Sequence, residues 1–131
     1  MIAADTNLLL RLVAVEDDAA QSAQAARWFK RHVPEGIYID AIVLVEAVWV
    51  LRARYHRSRV EIAAFLRSLL ETVGIGVSDV AAVRRALAAY RDGRGDFADY
   101  LIRERAREAG AIPTATFDRA LKGEAGFTVV G

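Results

Sequence analysis

Four carboxylates stand in apolar stretches of the chain, where a charge is hardest to accommodate. Asp5 closes the apolar opening of the sequence, and Glu46 is the only charge in the apolar run 41–51. Asp99 and Asp118 each follow a phenylalanine within two positions. Burying such an acid costs on the order of several kcal/mol unless a partner or a metal compensates it. No Lys or Arg is adjacent to Asp5 or Glu46, so a bound divalent cation is the simplest common explanation.

These acids suit the chemistry of phosphodiester hydrolysis. That reaction needs a nucleophilic water and a stabilised leaving oxygen, and divalent cations supply both without Cys, His or Ser. The chain contains no Cys, which excludes thiol catalysis, disulfides and Cys-based zinc sites, and its two histidines lack the paired spacing of metal ligands. Hard carboxylate oxygens favour Mg²⁺ or Mn²⁺ over zinc, so one of these two ions is the expected cofactor.

Asp5 and Glu46 also have structural interpretations. Asp5 can cap a helix that begins near position 8, but Thr6 and Asn7 cap equally well, so we favour a metal role for Asp5. Glu46 could lie on a solvated helix face. Its neighbours one helical turn away are all apolar, however, which favours a functional role: Ile42, Val43, Trp49 and Val50.

Asp96 and Asp99 lie at the predicted start of a helix, and Asp118 follows later in the chain. Asp96 fits the N-cap position of a helix, and Asp99, three residues later, is close to the capping-box spacing. We interpret Asp96 as the cap, with a supporting role at the site as the alternative, and Asp99 as a ligand near the positive end of the helix dipole. Asp118 is either a turn residue, a cap for the segment 119–122, or a fourth ligand.

Three arginines flank the acidic positions in loops. Arg91, Arg94 and Arg119 could hold a phosphodiester backbone, or they could be solvated charges without such a role. Among the 18 cationic residues, only Lys30 and Lys122 are lysines. That bias suits bidentate phosphate recognition, but we favour the base composition of the genome as its cause.

Short apolar runs alternate with longer helical patterns along the chain. We predict strands at 2–4, 37–39, 73–77, 111–114 and 127–130. Helices are expected at 8–13, 41–55, 60–70 and 97–108. Two more are expected: one runs from a cap at Asp17 or Asp18 to position 32, and the other runs from a cap at Ser78 to position 90. The spacing of Ser58 and Glu61 predicts a capping box for the helix at 60–70.

Strands that alternate with helices indicate an α/β fold with a mainly parallel central sheet and helices on both faces. In such sheets ligands bind beyond the carboxyl ends of the strands. Asp5 and Asp118 follow predicted strands, Asp99 lies in the first turn of its helix, and Glu46 lies about one and a half turns into its own. We therefore expect all four acids to meet at one edge of the sheet.

Size and composition favour one domain over residues 1–131. The chain has 131 residues, and its hydrophobic content of 54% excludes disorder. A net charge of +1 says little about partners. No basic segment precedes an apolar one at the start, and the run 41–51 is too short to span a bilayer, so we expect a cytoplasmic protein without a membrane partner.

The order of these motifs resembles the PIN-domain nucleases. The chain carries Asp5-Thr6-Asn7, a mid-helix Glu46, Asp96-Phe97-Ala98-Asp99 and Thr116-Phe117-Asp118, in that order. It is similar to the VapC-type toxins of bacterial and archaeal toxin–antitoxin pairs over nearly its whole length. The resemblance implies a three-layer α/β/α fold and metal-dependent endoribonuclease activity. It also implies that Asp5, Glu46, Asp99 and Asp118 surround Mg²⁺ or Mn²⁺, with Thr6 or Thr116 in support.

The same resemblance implies three partners: an RNA substrate, a cognate antitoxin protein, and a second copy of the chain in a homodimer. The nearly all-apolar helix at 41–51 and the helix at 60–70 offer more apolar face than one small sheet needs, which supports the homodimer. The chain departs from the family pattern at Asp40, near the end of a strand, where such chains commonly carry a small hydroxyl residue. The extra acid either shifts metal affinity or caps the following helix.

Three alternatives remain open. A PIN-type nuclease could process RNA outside any toxin pair. A receiver-like phosphoacceptor domain would need paired acids after the first strand and a late Lys at a strand end, whereas Asp5 stands alone and Lys122 lies in a predicted helix or loop. A non-catalytic interaction module would explain the apolar helix at 41–51 but not the four acids.

Overall fold

The computed structural model describes all residues from Met1 to Gly131, which pack as two compact units. Unit 1 is Met1–Val80 and unit 2 is Ala81–Gly131. Unit 1 contains β1 (Ile2–Ala3), α1 (Thr6–Val13), α2 (Ala19–His32), a 3-10 turn (Val33–Glu35), β2 (Ile37–Ile39), α3 (Ala41–Ala53), α4 (Arg59–Glu71) and β3 (Ile75–Val77). Next come α5 (Val80–Asp92), α6 (Phe97–Glu108), β4 (Thr114–Thr116), a 3-10 helix (Arg119–Leu121) and β5 (Phe127–Val129).

Unit 1 is built on a parallel sheet of three strands in the order β1-β2-β3. Ile37 of the central strand is in register with Ile2 on one side and Ile75 on the other. Ile37 and Ile39 are fully buried, as expected for the central strand of a parallel sheet covered by helices. This sheet places Asp5 just beyond the end of β1 and Asp40 just beyond the end of β2.

The helices of unit 1 bury one side each. Helix α1 packs against α2 and α3, and α3 packs against α4. The buried residues of α3 recur at helical spacing: Ala41, Leu44, Ala47, Val48 and Leu51. Helix α4 begins with the predicted capping box, in which Ser58 and Glu61 bond each other's backbone amides at 3.0 and 3.1 Å. That prediction is confirmed.

Unit 2 contains a second parallel pair, β4 with β5, and helix α6, which contacts β4. Phe97, Tyr100 and Leu101 of α6 are buried. A buried carboxylate, Glu104, accepts hydrogen bonds from Arg85 at 2.7 Å, and from Arg103 and Arg107 at 3.0 Å each. These charge-assisted bonds satisfy an acid that would otherwise be costly to bury.

The predicted α/β class with parallel strands is confirmed. One strand was misplaced: the run predicted at 111–114 is exposed up to Pro113, and the strand is Thr114–Thr116. Pro113 has no N–H to donate to a ladder, so pairing begins after it. The predicted strand at 73–77 begins only at Ile75, because Gly74 adopts a positive φ of 95° beside the Val33 carbonyl.

One predicted cap differs, and one proposed cap is confirmed. Ser78 does not cap α5; its hydroxyl accepts a hydrogen bond from the Ala41 amide at 2.7 Å and so supports the start of α3. Asp40 is the N-cap of α3 and accepts from the Ile42 amide at 2.9 Å. The capping alternative considered for Asp40 is thus the one that the structure shows. None of the helices combines the length and apolarity that crossing a bilayer requires.

Candidate active site

Asp5 is the N-cap of α1. Its backbone is extended, and its Oδ1 accepts a hydrogen bond from the Leu8 amide at 2.9 Å. Thr6 and Asn7, the other capping candidates, already lie inside the helix. Asp5 therefore performs the capping role that the sequence had offered as its alternative. The cap occupies only one carboxylate oxygen; Oδ2 has no hydrogen-bond partner in the protein and is available to a ligand.

Glu46 is tied to the first turn of α1 by Thr6. The Thr6 hydroxyl donates to Glu46 Oε1 at 2.7 Å, across 40 positions of sequence. This contact orients the Glu46 carboxylate, and the supporting role of Thr6 at a metal site remains a prediction. As at Asp5, the second carboxylate oxygen of Glu46 makes no hydrogen bond within the protein.

Asp5 and Glu46 line one cleft in unit 1. The cleft has a volume of about 400 Å³ and is lined by Asp5, Thr6, Asn7, Leu10, Arg11, Glu46, Val50, Arg54 and Tyr55. Part of the lining comes from the first two turns of α1, and part comes from the middle of α3 and the two residues that follow this helix. Two carboxylates with free oxygens therefore face one volume large enough for a hydrated cation and a phosphate.

The expectation that the acids are buried is wrong for three of them. Asp5, Glu46 and Asp118 are exposed, and Asp99 is half-buried. Desolvation therefore gives no argument for a cation at these exposed positions. The argument is instead the shared cleft of Asp5 and Glu46 and the oxygen atoms that no protein group occupies.

The apolar neighbours of Glu46 indicated that its face of α3 is not exposed to solvent, and this interpretation was wrong as well. Glu46 shares the outer side of α3 with Ile42 and Trp49, whose exposed fractions are 63% and 61%. A helix that is apolar nearly all round buries only the side that meets its neighbours. The spacing of its residues does not show which side that is.

A hydrogen-bonded cluster that sequence reasoning missed includes two residues of the cleft lining, Arg11 and Tyr55. Asp17 Oδ2 accepts from the Tyr55 hydroxyl at 2.8 Å and from Arg11 Nη1 at 3.1 Å. Arg11 Nη2 also donates to the Tyr55 hydroxyl at 3.0 Å. The bond from Tyr55, followed by that from Arg11, lowers the pKa of Asp17, and the bond with Tyr55 is the main cause that raises the pKa of Arg11.

This cluster corrects the interpretation of Asp17 as a helix start. Asp18 is the N-cap of α2 and accepts from the Gln21 amide at 3.0 Å. Asp17 instead joins α1 to the end of α3, where Arg54 Nη2 lies 3.6 Å from its Oδ2. The Arg54 side chain keeps an exposed fraction of 67%, so it is the cleft cation most open to a substrate. No local spacing signals contacts between residues this far apart in sequence.

In unit 2, Asp96 and Asp99 form the capping box that their spacing predicted. Asp96 is the N-cap of α6, and Asp99 Oδ2 accepts from the Asp96 backbone amide at 2.9 Å. Both side chains are half-buried. The capping interpretation of Asp96 is confirmed. The metal role of Asp99 remains a prediction.

Asp118 caps the 3-10 helix Arg119–Leu121. Its Oδ1 accepts from the Ala120 amide at 2.9 Å, and its own amide donates to the Thr116 hydroxyl at 3.0 Å. Thr116 therefore supports the Asp118 turn, as Thr6 supports Glu46. Asp118 Oδ2 has no partner in the protein, so this acid, too, keeps one oxygen for a ligand.

The three arginines predicted to contact RNA differ in their surroundings. Arg94 donates through Nε to the Ala120 carbonyl at 2.9 Å and through Nη2 to the Lys122 carbonyl at 2.8 Å. Two of its three guanidinium nitrogens are therefore engaged in holding the chain. Arg91 and Arg119 are exposed and make no ion pair. Their contact with RNA remains a prediction.

The unit 1 cleft fits Mg²⁺ by the chemistry of its donors. Within each unit, no three Asp, Glu or His side chains are grouped to hold a metal ion by themselves. Mg²⁺ is commonly held by one or two carboxylates, with waters and substrate phosphates as its other ligands. Asp5 and Glu46 offer two such carboxylates, and Thr6 and Asn7 add hard side-chain oxygens.

Comparison with known proteins places the chain in a family. The PIN domain profile matches residues 2–124. No curated protein and no solved structure matches the chain significantly. PIN domains are generally Mg²⁺-dependent nucleases that hydrolyse phosphodiester bonds. Because the match covers nearly the whole sequence, this protein belongs to the PIN domain family of metal-dependent nucleases.

Proposed function

We propose that this PIN domain is an endoribonuclease that cleaves RNA with Mg²⁺ or Mn²⁺, and that it is the toxin of a VapBC-type toxin–antitoxin pair in the cytoplasm. The observation that carries the nuclease proposal is the cleft of unit 1. There, Asp5 and Glu46 each keep a carboxylate oxygen without a protein partner. The family to which the chain belongs supports the same activity. The toxin role is supported by the motif resemblance alone.

Each acid has a proposed task. Asp5, Glu46, Asp99 and Asp118 would hold the metal, as the resemblance implies. When bound, the cation supplies an activated water and stabilises the leaving oxygen of the phosphodiester. Thr6 orients Glu46 through its 2.7 Å hydrogen bond. Either Glu46 or Asp99 orients the attacking water or accepts its proton.

Cations on the cleft wall suit a polyanionic substrate. Arg54 lines the cleft with an exposed side chain, whereas Arg11 is held by Asp17 and Tyr55. We therefore propose Arg54 as a phosphate contact in addition to Arg91 and Arg119. Arginines that contact phosphate position a nucleic acid without selecting its sequence.

Two protein partners complete the proposal. A second copy of the chain would cover the outer side of α3, where Ile42 and Trp49 are exposed. An antitoxin would place a basic side chain among the acids, since such a charge satisfies carboxylates in the absence of the ion. The alternative within the same chemistry is a PIN nuclease that processes RNA outside a toxin pair.

The decisive experiment compares two Asp→Asn variants. Asp5→Asn and Asp18→Asn make the same change at a helix N-cap, where Asn caps as well as Asp, but only Asp5 lines the cleft. Purified protein free of inhibitor should cut single-stranded RNA with Mg²⁺ and stop with EDTA. Asp18→Asn should retain this activity and Asp5→Asn should lose it. Unchanged cleavage by Asp5→Asn would rule out the proposed site, and equal cleavage of DNA would rule out specificity for RNA.

A further inference from the structure

The two acids of unit 2 lie on short segments that need external support. Asp99 is in the first turn of α6, and Asp118 caps a 3-10 helix of three residues, most of which is exposed. A single turn of this kind has little stability of its own. The side chains of Tyr100, Glu124 and Arg94 join these two segments. Of the three, the sequence pointed only to Arg94, and only as an RNA contact.

Tyr100 is the centre of the connection. It directly follows Asp99, and its side chain is fully buried. Its hydroxyl lies 2.6 and 2.8 Å from the two carboxylate oxygens of Glu124 and accepts a 3.0 Å hydrogen bond from the Gly95 amide. One phenol group thus links the loop before α6 to the chain that follows the 3-10 helix. The Arg103 guanidinium, 5.1 Å from the ring centroid, fixes the ring further.

Arg94 makes the second connection. Its backbone amide donates to Glu124 at 3.1 Å, and its side chain donates to the carbonyls of Ala120 and Lys122 at 2.9 and 2.8 Å. Ala120 is also the residue whose amide donates to the Asp118 carboxylate. A displacement of Arg94 would therefore move the amide that orients Asp118.

Two glycines lie where the packing around Tyr100 and the 3-10 helix leaves no room for a side chain. A Cβ atom at Gly93 would overlap the Tyr100 hydroxyl, and a Cβ atom at Gly95 would lie 2.5 Å from Leu121 Cδ2. Leu121 is buried and belongs to the 3-10 helix that Asp118 caps. The loop before α6 thus lies in close contact with the Tyr100 phenol and with the Leu121 side chain of the 3-10 helix.

We propose that Tyr100, Glu124 and Arg94 are positioning residues that fix the carboxylates of Asp99 and Asp118 relative to each other for binding of the divalent ion. This inference rests on the proposed function, in which both acids are metal ligands. In this role the three residues act through the two acids and are not themselves ligands of the ion. Groups that orient metal ligands in this way commonly change metal affinity or activity by about 10- to 100-fold when they are removed.

The test compares Tyr100→Phe and Glu124→Gln with a matched control, Arg85→Gln. All three variants remove polar groups from networks inside unit 2, but Arg85 bonds Glu104 and Glu108 rather than the segments that carry the acids. Three quantities are measured: amide hydrogen exchange across 95–99 and 118–122, the midpoint of stabilisation by Mg²⁺ alone in thermal melts, and kcat and KM on RNA.

A positioning role predicts one pattern across these measurements. Tyr100→Phe and Glu124→Gln should speed exchange in both segments, raise the Mg²⁺ midpoint about tenfold, and lower kcat about tenfold with KM nearly unchanged. Arg85→Gln should lower the melting temperature and leave the other quantities alone. Should Tyr100→Phe fail to fold, Arg94→Lys takes its place, because an ammonium cannot reproduce the two-carbonyl fork of Arg94.

Two negative outcomes are distinguishable. If wild-type protein binds Mg²⁺ and cuts RNA, while the variants match Arg85→Gln in exchange, Mg²⁺ midpoint and kcat, the network is structural and the positioning role is overturned. If wild-type protein neither responds to Mg²⁺ nor cuts RNA, the proposed function fails and the positioning role fails with it.

Discussion

The Thr6 hydroxyl donates a 2.7 Å hydrogen bond to Glu46 Oε1 and thereby joins the first turn of α1 to the middle of α3. Glu46 has no other hydrogen-bond partner in the protein, so this bond is what restricts its carboxylate. Because Thr6 directly follows Asp5, the same turn of backbone also carries the capping carboxylate of α1. One helix start thus sets the positions of both acids in the cleft.

Removal of the Thr6 hydroxyl should lower activity more than stability. Thr6→Val keeps the shape but leaves Glu46 without its donor, which should cost about 1 kcal/mol of unfolding free energy. We expect kcat on RNA to fall severalfold or more, and Thr6→Ser to restore most of it. Urea unfolding and single-turnover cleavage measure the two effects. Equal activity of Thr6→Val and wild type would show that the bond does not orient a working group.

Substitution of Asp5 should separate its cap from its proposed metal role. Asp5→Asn should melt within a few degrees of wild type in EDTA, because Asn caps a helix as well as Asp does, whereas Asp5→Ala should lose about 1 kcal/mol. Mg²⁺ should raise the melting temperature of wild type by mass action and have much less effect on either variant. An undiminished Mg²⁺ response in Asp5→Asn would contradict the ligand role.

Stability at acid pH should depend on Glu104. Burial raises the pKa of Glu104, but hydrogen bonds from Arg85 and Arg103 outweigh it, so the pKa lies below its ordinary value. A group of this kind stabilises the fold at pH above its unfolded pKa and loses that contribution as pH falls through its folded pKa. Glu104→Gln should therefore cost about 3 kcal/mol at neutral pH, because three arginines lose a common partner.

The difference between wild type and Glu104→Gln should be complete above about pH 5 and shrink below it. Unfolding by urea at a series of pH values measures this difference. Glu108→Gln is the matched control, since Glu108 pairs with the same Arg85 but its side chain has an exposed fraction of 46%. It should cost less than about 1 kcal/mol. Equal losses of unfolding free energy in the two variants would show that burial gives Glu104 no special role.

Arg54→Gln should weaken RNA binding without affecting the fold. Its side chain is exposed in the cleft and its ion pair with Asp17 is long, at 3.6 Å. We expect KM for RNA to rise severalfold and the salt dependence of binding to decrease by about 0.7 per lost phosphate contact. Arg67→Gln, which removes an equally exposed arginine paired with Glu71 outside the cleft, serves as the control. Identical KM values for the two variants would argue against phosphate binding by Arg54.

The homodimer should depend on the outer side of α3. Trp49→Arg places a charge on the face that carries the exposed Ile42 and Trp49, so it should shift the protein toward monomer. Val73→Arg is the control, because Val73 is 91% exposed but lies outside α3. Light scattering at micromolar concentration measures the mass of each. A wild-type protein that is strictly monomeric would defeat the dimer proposal.

The sequence by itself determined the features that depend on neighbouring residues. The capping boxes of α4 and α6, the strand Ile37–Ile39 and the helix Phe97–Glu108 lie where spacing and composition predicted them. Caps and helical turns are set by contacts within about four positions, so they can be recognised without tertiary information. The four acidic motifs likewise indicated the PIN family, which the profile match confirms.

Only the tertiary structure decided which side of α3 is buried and which polar groups meet. Ile42 and Trp49 are as apolar as the core of their helix, yet they are exposed, because burial depends on what packs against a face. The bonds of Arg11 with Tyr55 and of Tyr100 with Glu124 span 44 and 24 positions. Partners this distant are chosen by how helices and loops pack together, and packing is a property of the folded chain that no local spacing encodes.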